Sequence, residues 1–181
     1  NGDIHTANQR LAGLESRSQA KTFIYALLYG AGDAKLGQVV GRGREHGKNL
    51  RRSFFDNLPS FKSLTSSVQL KAKGGFVKGL DGRKLIVRSE HSALNTLLQG
   101  AGAIVMKQAL VLFNNAIKEL NLRAKFVANV HDEWQIECHE DDAKQTGIEG
   151  VKAIRLAGKM LNLNCPLDGE YQIGDNWSET H

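Results

Sequence analysis

The sequence predicts an α+β fold, with a helical first lobe over about residues 1–90 and a second lobe over about 91–181 that packs helices on a small antiparallel sheet. Three observations predict it. Apolar residues recur at spacings of three and four through the first half, between glycines that punctuate them. Residues 91–120 form the longest apolar-rich stretch and keep the same period. Phe126 to Cys138 instead alternates and is rich in Val, Ile and aromatics, as a strand pair requires.

In chain order, residues 3–12 and 17–30 carry helical spacing, with Phe23, Ile24, Leu27 and Leu28 apolar and Gly30 and Gly32 as the stop. From Lys35 to Leu70 further helical patterns are broken at Gly41, Gly43, Gly47 and Pro59, and a basic cluster runs from Arg42 to Arg52. Gly74-Gly75 and Asp81-Gly82 flank Phe76-Val77 and Leu85-Ile86-Val87, which predicts a hairpin with a type I′ turn at Asp81-Gly82. The 91–120 stretch predicts a long, largely buried helix. Two short strands follow, turning near His131-Asp132, then an amphipathic helix over 141–162. Leu167 to Ile173 reads as a final strand, followed by a polar tail containing Trp177.

A chain of 181 residues with 41% hydrophobic and 24% charged residues has globular composition, against disorder or a fibrous repeat. Lys and Arg number 24 against 19 acids, a net charge of +5 that favours a polyanionic partner. Cys138 and Cys165 make no disulfide framework or zinc motif and read as buried thiols in a reducing cytoplasm. The apolar runs look too short for a membrane helix, and no signal peptide opens the chain. It begins at Asn1 rather than Met, which reads as the interior of a longer protein.

Arg17, Lys21, Tyr25 and Tyr29 lie four residues apart, hence along one helical face of ~18 Å. Two cations followed by two aromatics match a triphosphate and its base, and a charge-assisted bond to phosphate is worth ~1.5–3 kcal/mol when shielded. The same spacing also describes a solvated surface helix whose tyrosines pack. His131-Asp132-Glu133 places adjacent carboxylates at a turn, where they can hold a hard cation such as Mg²⁺ if further ligands are supplied. A solvated polar turn is the other reading. On the long helix, His91, Asn95 and Gln99 form a polar stripe. Asn and Gln suit the acceptors that every base pair shows in the minor groove, or else satisfy backbone groups or solvent.

Taken together these residues resemble the family-A, DNA polymerase I-like DNA polymerases. Arg17-x-x-x-Lys21-x-x-x-Tyr25-x-x-x-Tyr29-Gly30 is similar to their motif B helix. Val130-His131-Asp132-Glu133 is similar to their motif C, about a hundred residues later. Asp3-Ile4-His5-Thr6, Ala20-Lys21-Thr22-Phe23-Ile24-Tyr25, Gly79-Leu80-Asp81-Gly82-Arg83-Lys84 and Leu94-Asn95-Thr96-Leu97-Leu98-Gln99 resemble the replicative polymerases of short-tailed phages.

The resemblance implies that residues 1–90 are fingers, with a nucleotide-binding helix at about 17–30, and that 91–181 are the C-terminal part of the palm. It implies that His5 and Arg17 contact the outer phosphates of the incoming nucleotide and Lys21 the phosphate under attack. Tyr25 would lie near the sugar, and Tyr29 with Gly30 near the nascent pair and template base. Asp132 would be the metal-binding catalytic carboxylate, Glu133 a supporting acid and His131 a neighbour of the primer end. His91, Asn95 and Gln99 would bind the new duplex. Implied partners are primer-template DNA, deoxynucleoside triphosphates, an N-terminal polymerase segment and a processivity factor, in a host-cell cytoplasm and without a membrane.

The implied cofactor is a two-ion Mg²⁺ site completed by a carboxylate outside this chain. The motif A aspartate of the family is absent, so the chain by itself is expected to be inactive. Position 91 carries His where many bacterial members carry Arg. Three other readings are a fragment of a single-subunit RNA polymerase, which shares a similar helix and a His-Asp pair, a non-catalytic nucleic-acid-binding remnant, and a purely structural fragment.

Overall fold

The computed structural model describes residues 3–180. These fall into two compact units. The first runs to Lys78 and includes Arg83–Leu98; the second holds Gly79–Gly82 and the chain from Gln99 onward.

In the first unit, α1 (Ile4–Ala12) is capped by Asp3, whose side chain accepts from the His5 amide, and ends at Gly13 in the left-handed region. Helix α2 (Arg17–Leu28) is capped by Ser16, which accepts from the Gln19 amide. Ala20, Phe23 and Leu27 bury one face, leaving Arg17, Lys21 and Tyr25 exposed on the other. The helix stops in a Schellman arrangement: Gly30 donates to the Leu27 carbonyl at 3.0 Å and Ala31 to that of Ala26 at 2.9 Å.

Helices α3 (Asp33–Val39), α4 (Arg44–Asn57) and α5 (Pro59–Ala72) follow, the last opened by proline, which needs no amide partner there. Phe23, Leu27, Leu36, Leu50 and Phe54 close a core with α1 and α2, and Phe23 meets Phe54 edge-on at 5.8 Å. Gly47 does not break a helix as the sequence predicts. It lies buried inside α4, where a Cβ would stand 1.9 Å from the Asp33 carbonyl oxygen. The glycine serves the close approach of two helices.

Strands β1 (Phe76–Lys78) and β2 (Lys84–Ile86) pair antiparallel, Phe76 opposite Ile86. The hairpin is as expected but the turn is not type I′. Five residues connect the strands, Gly82 donates to the Gly79 carbonyl at 3.0 Å, and Gly82 has φ +83° while Asp81 does not enter the positive region. Val77 and Val87 pack with Val68, Ala72 and Ala93.

Helix α6 (Ala93–Glu119) follows a 3₁₀ turn at Glu90–Ser92, so His91 precedes the long helix rather than lying on it. It is not largely buried: Leu98 and Val111 are exposed while Ile104, Ala109, Phe113 and Ile117 are covered. By length and composition Glu90–Glu119 is apolar enough to cross a membrane, one 18-residue window within it having a mean hydropathy of 1.4, contrary to the reading of the runs as too short. Part of that apolar character serves packing.

In the second unit, β3 (Ala124–Val130) and β4 (Glu133–Cys138) form the antiparallel pair the alternation predicts, with Val130 opposite Glu133. Phe113, Phe126 and Trp134 meet with ring centroids 5.3 to 6.4 Å apart. Helix α7 (Glu140–Met160) supplies Ala153 to this core and passes Gly150 beside the Phe113 ring. Leu167–Ile173 forms no strand among the described residues, since no ladder partner lies alongside it. It packs through side chains instead, Tyr171 against Gly147 and Leu167 against Gly158 of α7. Cys138 is half-buried, and burial raises its thiol pKa, but Cys165 is exposed, contrary to expectation.

At the start of α7, Arg123 donates from its amide and Nε to Asp142 Oδ2, at 2.9 and 2.8 Å. These bonds lower the Asp142 carboxyl from 3.8 to about 2. A depressed folded-state value stabilises the fold above 3.8, and this contribution is lost as pH falls through about 2. Melting temperature measured across that window should fall, and Asp142→Asn should flatten this part of the slope.

Candidate active site

Within the first unit, the sequence-predicted phosphate ligands cluster at the N-terminal ends of α1 and α2. Arg17 Nε donates to Asp3 Oδ2 at 2.5 Å and its Nη2 to Oδ1 at 3.3 Å. The Arg17 guanidinium, with a hydrogen bond from Thr6 as the next cause, holds the Asp3 carboxyl far below the usual carboxylate range. His5, the second residue of α1, sets its ring 6.3 Å from that of Tyr25, inclined at 45°. Lys21 and Tyr25 are exposed along the same face, and Tyr29 caps the helix. The face thus runs from cation to aromatic as the spacing predicts.

Gly30 is required by its surroundings. Its φ is +78°, and a Cβ would stand 2.3 Å from the His91 carbonyl oxygen. The end of α2 therefore lies directly against the turn before α6. Beside this contact is a cavity of about 180 Å³, lined among others by Gly30, Arg51, Phe55, Phe61, Gln69 and His91. Arg51 pairs with Asp33 at 2.8 Å and donates to the Ala31 carbonyl, fixing the chain just after Gly30. The sequence reads Arg51 only as part of the basic cluster from Arg42 to Arg52. Its structural task has no local signal, because both partners lie about twenty residues away. His91 is exposed, Asn95 half-buried in the first turn of α6, and Gln99 exposed a turn later.

Within the second unit, His131 and Asp132 form a two-residue loop between β3 and β4, both exposed, with His131 at φ +55°. This turn lifts the carboxylate out of the ladder. Glu133 is half-buried and accepts from the Gln135 amide, so its oxygens are oriented rather than free to swing. Gln135 in turn accepts from the Thr180 hydroxyl at 3.5 Å. Neither was anticipated. Gln135 follows Glu133 by two residues, the spacing that puts strand side chains on one face.

Among the described residues no three His, Cys, Asp or Glu side chains gather in a metal-binding cluster. Asp132 and Glu133 remain. Mg²⁺ is characteristically held by one or two carboxylates, waters and substrate phosphates, so the exposed Asp132 carboxylate fits one edge of such a site and does not complete it.

The chain folds like part of a known polymerase domain. It superposes on the polymerase domain of Pol1 from M. smegmatis, solved with DNA primer-template and dNTP, with a TM-score of 0.78 and 24% identity, covering 86% of this chain and 31% of that one. The DNA polymerase family A model matches residues 1–179, and the chain belongs to that family.

Two relatives are DNA-directed DNA polymerases of phages. That of Enterobacteria phage T3 is 43% identical, over 100% of this chain and 29% of its own length. That of Escherichia phage Phieco32 is 44% identical, over 99% and 30%. DNA polymerase I of Aquifex aeolicus is 34% identical over 91% of this chain and 30% of its length. The chain therefore spans under a third of the relatives it matches.

Proposed function

We propose that the chain carries the nucleotide-binding fingers and the C-terminal palm of a DNA-directed DNA polymerase, extending a primer 3′ end by template-dependent nucleotidyl transfer. The observation that carries this is the α2 face: Arg17 and Lys21 exposed above a buried apolar stripe, followed by Tyr25, Tyr29 and a glycine that tolerates no Cβ. Family membership supports DNA rather than RNA synthesis.

His5 and Arg17 bind the outer phosphates, and Lys21 the phosphate under attack, neutralising charge that develops there. Tyr25 lies at the sugar. Tyr29 and Gly30 border the nascent pair, and the adjoining cavity, with its Phe rings and Gln69 amide, suits a template base. Asn95 and Gln99 follow the minor groove with His91, and His131 neighbours the primer end.

Asp132 would hold the metal, taken to be Mg²⁺, and Glu133 would support it. A divalent cation pair supplies charge to the attacking and leaving oxygens of an in-line displacement. The remaining carboxylate comes from outside these 181 residues, on an N-terminal polymerase segment. A host cytoplasm as the setting is in keeping with the phage relatives, and a processivity factor assists.

Primer extension with Mg²⁺ by the chain alone, and mixed with such a segment, tests this. Extension is expected only in the mixture. Silence from an assembled mixture would favour a non-catalytic nucleic-acid-binding role. Tyr25 gives a finer test. Its side chain is exposed on the nucleotide face and its hydroxyl can fill the place of a missing sugar hydroxyl, so the complex should accept dideoxynucleotides. Tyr25→Phe should restore discrimination by about 10²-fold or more, read as the ratio of kcat/KM for the two nucleotides.

A further inference from the structure

We propose that Asp3 is a positioning residue that fixes Arg17 and His5 together as one phosphate-binding unit; this rests on the nucleotide-site reading above. The Asp3 carboxylate takes four hydrogen bonds. Thr6 Oγ1 donates to Oδ2 at 2.8 Å, the His5 amide to Oδ1 at 3.0 Å, Arg17 Nε to Oδ2 at 2.5 Å and Arg17 Nη2 to Oδ1 at 3.3 Å. One carboxylate thus caps the helix that carries His5 and clamps a cation fourteen residues later on the next helix.

A guanidinium has five N–H donors, and this fork uses two, leaving three in a fixed plane for an anion. The pair is half open to solvent, with side-chain exposures of 57% and 39%, so its value to folding is small. Its geometric value is larger, because a long, freely rotating side chain is held in one orientation before the ligand arrives. His5 is placed by the same cap. Its Nδ1 is buried with no hydrogen-bond partner among the described residues, and its ring is set against Tyr25.

Electrostatics alone gives the opposite sign from positioning, which makes the inference sharp. Asp3 is an anion beside an anion site, so removing its charge should strengthen polyanion binding unless orientation dominates. Asp3→Asn is the informative variant, since Asn caps a helix about as well as Asp and the helix content should be unchanged by circular dichroism.

The full chain is titrated with deoxyadenosine triphosphate and monophosphate by calorimetry, with Arg17 Nε–H followed by NMR. Asp3→Asn should weaken triphosphate binding about fivefold or more, leave monophosphate binding unchanged, and collapse the resolved Arg17 Nε–H signal. In an Arg17→Ala background the same change should cost little further. Equal losses in both backgrounds, or unchanged or tighter triphosphate binding in Asp3→Asn, would overturn the positioning role. If Arg17→Ala itself has no effect, or the wild-type chain binds no triphosphate, the nucleotide-site reading falls and this inference with it.

Discussion

Asp132→Ala is expected to abolish primer extension by the complemented chain, by on the order of 10³-fold or more, while leaving its fold intact. The two halves of that expectation come from one placement. Asp132 is exposed in a two-residue loop, and among the described residues no hydrogen bond or ion pair depends on its side chain. Melting temperature should therefore move little. A metal held by so few protein oxygens, as proposed for Asp132, would by contrast lose its anchor when one carboxylate goes. Glu133→Ala should be milder in kcat, since that carboxylate is oriented by Gln135 and its proposed place is beside the metal rather than on it. The measurement is kcat for single-nucleotide incorporation together with a thermal melt of each variant. Retained incorporation in Asp132→Ala would remove this hairpin from the chemistry.

The second large effect is on stability. Gly47→Ala puts a methyl 1.9 Å from the Asp33 carbonyl oxygen and 2.5 Å from the Gly37 amide nitrogen. Both neighbours are backbone, so no side chain can rotate away. Helix α3 must move as a body, yet Arg51 holds Asp33 at 2.8 Å. In an open helix the same change gains about 1 kcal/mol from propensity. Here the overlap should outweigh that and cost about 3 kcal/mol or more, read by denaturant unfolding of the chain. A neutral result would show that α3 and α4 are not closely packed in solution.

Gly47 also shows where sequence reading stops. A glycine within a helical pattern has the same local signature whether it ends the helix or lets another helix approach, and only the partner distinguishes them. The periodic stretches behind α2, α6 and α7 and the alternation behind β3 and β4 were legible because each buries a face set by its own period. Leu167–Ile173 misled for a related reason. A strand is defined by its neighbour, and a β-like composition says nothing of whether one is present.

The α2 face was legible down to the residue, since Arg17, Lys21 and Tyr25 occur at helical spacing with a buried stripe behind them. The burial that gives Arg51 its grip on Ala31, and the clamp of Asp3 on Arg17, were not, because they join residues far apart in the chain. A single positive-φ residue, His131, lifts Asp132 clear of its ladder, and sequence shows only that a turn falls there.

The closing stretch of the chain has a consequence for how the second unit breathes. Tyr171 and Leu167 are inserted against the glycines of α7, so the segment is fixed by the shape of its side chains while its amides enter no ladder. Its side chains and its backbone then run on different clocks. The rings and methyls should stay ordered for as long as α7 is folded, whereas the amide hydrogens, apart from that of Gly169, which Asp168 accepts, should exchange with water at nearly the rate of an open loop. A strand of the same composition, once given a neighbour to pair with, would bring the two clocks together.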